Sequence, residues 1–435
     1  MSCSWAITWC SGENRRNAHP MNVLILNQAF HPDVVSTAQH ACDLARGLTQ
    51  AGHEVTVVCS SRGYDDPKLR FPDQEVWNSI KIFRVRSTGL GKSSKWRRAA
   101  DFSTFMVSCA LRLQLLSPFD VVVAMTSPPL ISFVAALAIP RKARRLLFWS
   151  MDLNPDEAIA AGWLRQTSLI ARLLSRILVN SLQRADCIVA LDRFMKKRIE
   201  AKGIDARKIL VVPPWAHDDH VKFDLTGREE FRRHHKLSNK FVIMYSGNHS
   251  PCHPLDTLLK AADRLANRNE IAFCFIGGGS EFQKVKKLAL DRGLRNVLCL
   301  PYQPIEKLSG TLSAADLQIV VMGDNYPGIV HPCKIYNALA AQRVLLYIGP
   351  AESHIIDIIN RGGIEAFVCS HGDVDGVVTN ILRAVRDRKL ATSQDIEQRK
   401  RFSKELLLPR MISAIEDLDP ALEGNFVYGR GSHCG

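Results

Sequence analysis

The 435-residue sequence is short of several things, and each shortage removes a class of protein. Its twelve cysteines form no C-x-x-C pair and stand singly, mostly beside apolar residues, as at Cys59, Cys187, Cys274 and Cys369. Disulfide frameworks and zinc sites need paired spacing, so free thiols in a reducing cytoplasm are expected. His249 and His253 are four apart, but Pro251 and Pro254 forbid the helix that would align them as ligands. No metal site is expected. Residues 1–20 lack the apolar core of a secretory signal and read as a disordered extension. The one stretch long enough to span a membrane, Val121–Pro140, is cut by Ser127-Pro128-Pro129 into strand, turn and helix. No low-complexity tract occurs.

Negative charge is also in deficit. Lys and Arg number 57 against 43 Asp and Glu, a net charge of +14. That balance suits nucleic acid, an anionic membrane face or a phosphorylated substrate. The basic residues are dispersed, with clusters at Lys92–Arg98, Arg141–Arg145, Arg193–Lys202 and Arg228–Lys236, and no nucleic-acid-binding signature accompanies them. Membrane or phosphate is therefore preferred. The cluster around Trp96 reads either as an interfacial anchor or as a solvated loop with a tucked indole.

What is present is a strand–helix alternation. Apolar runs at Asn22–Asn27, Val55–Cys59, Ile80–Arg86, Val121–Ala124, Leu146–Trp149, Cys187–Leu191 and Ile209–Val212 are separated by helical patterns, among them Ala38–Gln50 with Ser36 or Thr37 as N-cap. This is a doubly wound α/β domain over residues 21–213. No G-x-G-x-x-G follows its first strand, so a dinucleotide fingerprint is missing. Residues 214–240 are polar, basic and poorly periodic, and read as a linker. The rhythm then restarts over 241–395, with strands at Val242–Ser246, Ala272–Ile276, Val297–Leu300, Leu317–Met322, Val344–Ile348 and Ala366–Cys369. A closing helix covers 396–420, and 421–435 are a tail expected to fray.

Two tandem α/β domains place ligands between facing strand ends. Gly247-Asn248-His249-Ser250 leaves one strand of the second domain, and Gly277-Gly278-Gly279 leaves its neighbour. Glycines there let backbone approach a diphosphate. Lys334 opens a short helix after Pro327, Gly328 and Pro332 break the chain, and an ammonium at that point suits phosphate. By local pattern alone a solvated lysine on a crossover helix fits equally. Tyr302 and Gln303, just past a strand, are either base contacts or core residues. Asp152, after the Leu146–Trp149 strand, is either a proton acceptor or a loop cap.

Pro332-Cys333-Lys334-Ile335-Tyr336-Asn337 resembles the Pro-Ser-Lys variant of the donor motif in retaining glycosyltransferases of the group 1, family 4 type, and Met151-Asp152-Leu153-Asn154-Pro155-Asp156 resembles their Arg-Asp-x-Trp-Pro-acid element. The resemblance spans Met21 to about Leu418. It implies a GT-B fold, two Rossmann-like domains facing a central cleft with the C-terminal helix crossing back to the first. It also implies transfer of a hexose or N-acetylhexosamine from a UDP- or GDP-sugar to a glycan or lipid-linked acceptor, without metal or other cofactor, at the cytoplasmic membrane face. Gly247, Asn248, His249, His253, Gly277, Gly278, Gly279, Tyr302, Lys334 and Asn337 are the implied donor residues. Asp152 and Lys334 are the catalytic candidates, and Thr37 and Gln39 lie on the acceptor side.

The chain departs from the family where Asn248 and His253 stand for Arg and Lys, and where Ile329 and Asn337 stand for two Glu. Lys334, helix amides and a protonated histidine are the expected substitutes. The rival readings are a nucleotide-sugar 2-epimerase of related fold and a non-catalytic nucleotide-binding scaffold.

Overall fold

The computed structural model describes residues 19–418 apart from 65, 67, 92–94, 140, 217–220 and 388–399. The N-terminal extension, the tail and part of the Lys92–Arg98 cluster lie outside the described residues, as does the expected start of the closing helix. Among the described residues the strands form two sheets.

The first sheet runs β3-β4-β2-β1-β5-β6-β7-β8. Its strands are β1 (Asn22–Leu26), β2 (Glu54–Ser60), β3 (Gln74–Trp77), β4 (Ile80–Val85), β5 (Phe119–Ala124), β6 (Ala143–Ser150), β7 (Cys187–Ala190) and β8 (Ile209–Val211). All pair in parallel except the edge strand β3, which the sequence reading omits. β3 alternates between exposed and half-buried positions, so it lacks the apolar run that marks the inner strands. The central strands are buried on both faces because helices cover both: α1 (Ser36–Gln50) on one, and α2 (Lys95–Leu115), α3 (Ile131–Ala138) and α5 (Leu169–Arg184) on the other. The short α4 (Asp156–Ala160) follows β6, and α6 (Arg193–Glu200) joins β7 to β8. The cap expected for α1 is not formed: Val35 is its N-cap, without a side-chain bond.

The second sheet runs β11-β10-β9-β12-β13-β14 and is wholly parallel. Its strands are β9 (Phe241–Asn248), β10 (Ile271–Gly278), β11 (Val297–Leu300), β12 (Leu317–Val321), β13 (Val344–Ile348) and β14 (Ala366–Cys369). The helices that concern the site are α11 (Lys334–Ala340) and α12 (His354–Gly362). The expected linker is not a bare connection, because α7 (Leu225–His234), capped by Asp224, lies within it. Its Arg228 and Arg232 both bind the carboxylate of Asp316, which also accepts from Val242 N at 2.8 Å. Those arginines belong to the second domain, and Asp316 is structural as its place before β12 suggests.

In each sheet the strand order reverses beside a central strand, at β1/β5 and at β9/β12, the position where open α/β sheets bind ligands. The carboxyl ends of the two sheets meet: Leu153 N donates to Ile329 O at 2.9 Å. The chain then returns. α14 (Lys404–Glu416) buries Leu407, Met411, Ala414 and Ile415 in the core of the first domain. His53 Nε2 meets Glu416 at 3.2 Å, and Lys404 meets Asp43 at 3.3 Å. Met411→Ala is expected to lower unfolding stability by about 2–5 kcal/mol, read as a shift of the first-domain transition in a urea titration.

Candidate active site

The centre of the site is an amine without a carboxylate. Lys334, the first residue of α11, reaches back under β9, where its Nζ donates to the hydroxyl of Tyr245 and, at 2.7 Å, to the carbonyl of Asn248. Tyr245 donates to the same carbonyl at 3.0 Å, and its ring lies 4.3 Å from Nζ. Among the described residues no acid pairs with Lys334. Burial against these neutral partners pulls its pKa down to about 7. An anion brought here would restore the charge.

Gly247 is required by this approach, and Gly277 and Gly279 by the close passage of the β9 turn. Gly247 and Gly277 are paired residues of β9 and β10 with φ of 125° and 134°. A Cβ on Gly247 would stand 2.6 Å from Lys334 Cε, and one on Gly277 would stand 2.1 Å from Gly247 O. Gly279, at φ 114°, admits the Asn248 side chain. Over Gly278 lies the ring of Tyr302, 54% exposed. Gln303 turns back to Pro301 O at 2.9 Å. Asn337, half-buried, is one turn beyond Lys334 on α11.

Both histidines depart from expectation. His249 is fully buried among Tyr245, Phe275 and Phe282, with Nδ1 2.9 Å from Gly247 O. Burial and the nearby ammonium bring its pKa down to about 4. His253 is buried too, and burial and then the ammonium push its pKa well below the ordinary histidine range. Neither supplies a positive charge at neutral pH. On the first domain, Thr37 is half-buried in the first turn of α1 and Gln39 is tied to Val34 O at 2.6 Å.

Asp152 leaves the end of β6 on the facing edge. Burial, and then the negative charge of Glu157, hold its carboxyl well above the usual range. Glu157 accepts from Asn154 at 2.9 Å and meets the Cys252 thiol of the other domain at 3.8 Å. The Cys333 thiol donates to His331 O at 3.3 Å, and burial and then the charge of Asp152 raise its pKa, so a first-domain carboxyl acts on the residue before Lys334.

Tyr245 and Glu157 were missed by the sequence reading. Tyr245 had a signal: a tyrosine two residues before a strand-end glycine lies on the same side of β9. Asp192, His331 and His354 also cluster within reach of one ion. On one tetrahedral ion two imidazole centroids stand about 5 Å apart. These are 3.7 Å apart and 20° from parallel, so they stack rather than chelate.

A family model described as "Glycosyl transferase 4-like domain" matches residues 37–215, and one described as "Glycosyl transferases group 1" matches residues 227–404. The chain belongs to the group 1 glycosyltransferases. It is 24% identical over 343 residues to WcaI of Escherichia coli strain K12, named for colanic acid biosynthesis, covering 74% of this chain and 81% of that protein. Its fold is similar to that of sucrose-phosphate synthase from Thermosynechococcus elongatus, with a TM-score of 0.74 at 14% identity, covering 92% of this chain and 100% of that one. It is also similar to Anabaena HepE, solved with UDP and glucose, with a TM-score of 0.68 at 16% identity, covering 91% and 100%. The fold of this glycosyltransferase is therefore GT-B. In the free enzyme, acylation of Lys334 by an amine-reactive reagent should rise with a midpoint near pH 7, read by peptide mass spectrometry. A midpoint near 10, as for a solvated lysine, would contradict the site geometry.

Proposed function

We propose that this glycosyltransferase moves a hexose or N-acetylhexosamine, with retained configuration, from a UDP- or GDP-sugar to a glycan or lipid-linked glycan acceptor in polysaccharide or cell-envelope biosynthesis. The observation that carries this reading is the acid-free ammonium of Lys334 beside the glycine-lined ends of β9 and β10. The sugar-nucleotide complex of HepE and the biosynthetic name of WcaI support it.

Departure of the nucleoside diphosphate leaves negative charge on its oxygens, and Lys334 offsets that charge without a divalent ion. Tyr302 stacks on or borders the base, and Asn337 bonds a ribose hydroxyl. Gly247, Gly277, Gly278 and Gly279 admit the diphosphate to the backbone, and Asn248 lies at its edge. Asp152, with a basicity raised by burial, takes the proton of the acceptor hydroxyl as the new bond forms. Thr37 and Gln39 border the acceptor. His249 and His253 act only as neutral packing.

A second reading, a nucleotide-binding scaffold without turnover, is favoured by Ile329. It is buried and apolar where the family resemblance expects a Glu. UDP or GDP binding without sugar release over a broad acceptor panel would support that reading.

The acceptor side also suits a membrane. No helix among the described residues is long and apolar enough to cross one. Beyond Asp152, however, α5 presents Leu169, Ile170 and Leu173 to solvent at 80%, 62% and 57%, with Trp163 exposed just before it. Arg165, Arg172 and Arg176 interleave them, and no acid occurs from Ala158 to Ala185. Apolar side chains ringed by arginine complement an anionic lipid surface. The enzyme should sediment with vesicles containing anionic lipid and not with neutral ones. Leu169→Ser/Ile170→Ser should lose that binding while keeping activity on a water-soluble acceptor.

Lys334→Ala should weaken UDP or GDP binding by about 1.5–3 kcal/mol, measured by calorimetry. The free amine titrates near 7 and the diphosphate raises it, so wild-type binding should take up a proton at pH 8 and weaken as pH rises above 7. Asp152→Asn should lower turnover, abolish the acid limb of the pH–rate profile and leave nucleotide affinity unchanged.

A further inference from the structure

The segment leading to Lys334 is seated on the first domain at Pro327, Gly328, Ile329 and His331. Arg198 Nε donates to Pro327 O at 2.6 Å. Gly328, at φ 72°, lies so close to the start of α6 that a Cβ would stand 2.5 Å from the Phe194 carbonyl carbon. Ile329 O accepts from Leu153 N. His331 is buried and meets the first domain through Asp192.

Asp192 faces two ways. One carboxylate oxygen caps α6, accepting from Met195 N at 2.8 Å, and the other accepts from His331 Nδ1 at 2.7 Å. With Nδ1 donating, Nε2 accepts from the Tyr336 hydroxyl, also at 2.7 Å. Burial opposes ionisation of Asp192, yet the hydrogen bond from His331 brings its pKa down to about 2. His354, from α12, stacks on His331. His331 is three residues before Lys334 and Tyr336 two after it, so the bonded chain brackets the lysine.

We propose that Asp192 of the first domain, acting through His331 and Tyr336, is a positioning residue that sets Lys334 for the donor diphosphate only while the two domains are docked. The proposal rests on the reading of Lys334 as the donor's cation. Its physical basis is that the residues joining His331 to Lys334 are a short connection between breakers. The entry to α11 is also held within the second domain, by Ile329 N on Tyr326 O at 2.9 Å, by the Cys333 thiol on His331 O at 3.3 Å and by the His354 stack, and the seat on α6 fixes how that entry stands against the first domain. By linkage, a ligand held better in the docked state favours that state by the same factor.

The test uses the full chain, with a dye on an exposed residue of each domain. Nucleoside diphosphate affinity is measured by calorimetry and docking by energy transfer. Asp192→Asn keeps the helix cap, since Asn caps as well as Asp, but removes the charge facing His331. It should weaken UDP or GDP binding on the order of tenfold and abolish the nucleotide-dependent change in transfer. His331→Gln should do the same. Arg193→Ala breaks an equally interdomain pair, Arg193–Asp357 at 2.5 and 3.0 Å, whose hydrogen bonds are separate from those of the bracketing chain. It should change affinity less than about twofold, as exposed pairs do. Unchanged affinity and transfer in Asp192→Asn and His331→Gln overturn the clamp, and so does an equal loss in Arg193→Ala. A wild-type chain that binds neither UDP nor GDP overturns the donor reading instead.

Discussion

The structure depends on a cation held by neutral groups. Lys334 spends its hydrogen bonds on a phenol and a peptide carbonyl, and burial lowers its pKa to about 7. A lysine in that state is a poor stabiliser of the empty fold, because desolvation is not offset by an opposite charge. It gains when an anion arrives. The glycine positions of β9 and β10, the tyrosine beneath the amine and the break before α11 are local consequences of fitting this amine to the sheet edge.

The long-range consequence is that the second domain does not arrange its site alone. Pro327, Gly328, Ile329 and His331 are seated on the first domain, and α14 ties the chain's end into the first core. One tie lies on the site's own loop and the other on the closing helix. A two-domain enzyme can thus keep its lobes together while leaving the loop contact free to form and break. Asp152 and Glu157 stand on the facing edge of the first domain, where Glu157 meets the Cys252 thiol of the second.

Much of the fold is legible in the sequence because it is written in short apolar runs. The inner strands, buried on both faces, announce themselves, and the two-domain rhythm follows. β3 was not legible, since an edge strand half in water carries no such run. The segment holding α7 reads as linker because its arginines look solvated, and only the distant Asp316 shows where Arg228 and Arg232 point. Lys334 and the glycines were legible from breakers and strand ends. His249 and His253 were not: their burial is tertiary, and it turns expected cations into neutral packing. Asp192 before α6 could be read as a cap, but nothing local says that its second oxygen meets a histidine 139 residues away.

The central claim is that the amine of Lys334 exchanges its carbonyl partner for a diphosphate. A crystal structure with bound UDP or GDP tests it most directly. The account predicts a β-phosphate oxygen within hydrogen-bond distance of Lys334 Nζ, between the glycine turns and Asp152. A nucleotide bound elsewhere, or a lysine still held by the Asn248 carbonyl beside an uncontacted phosphate, would contradict it.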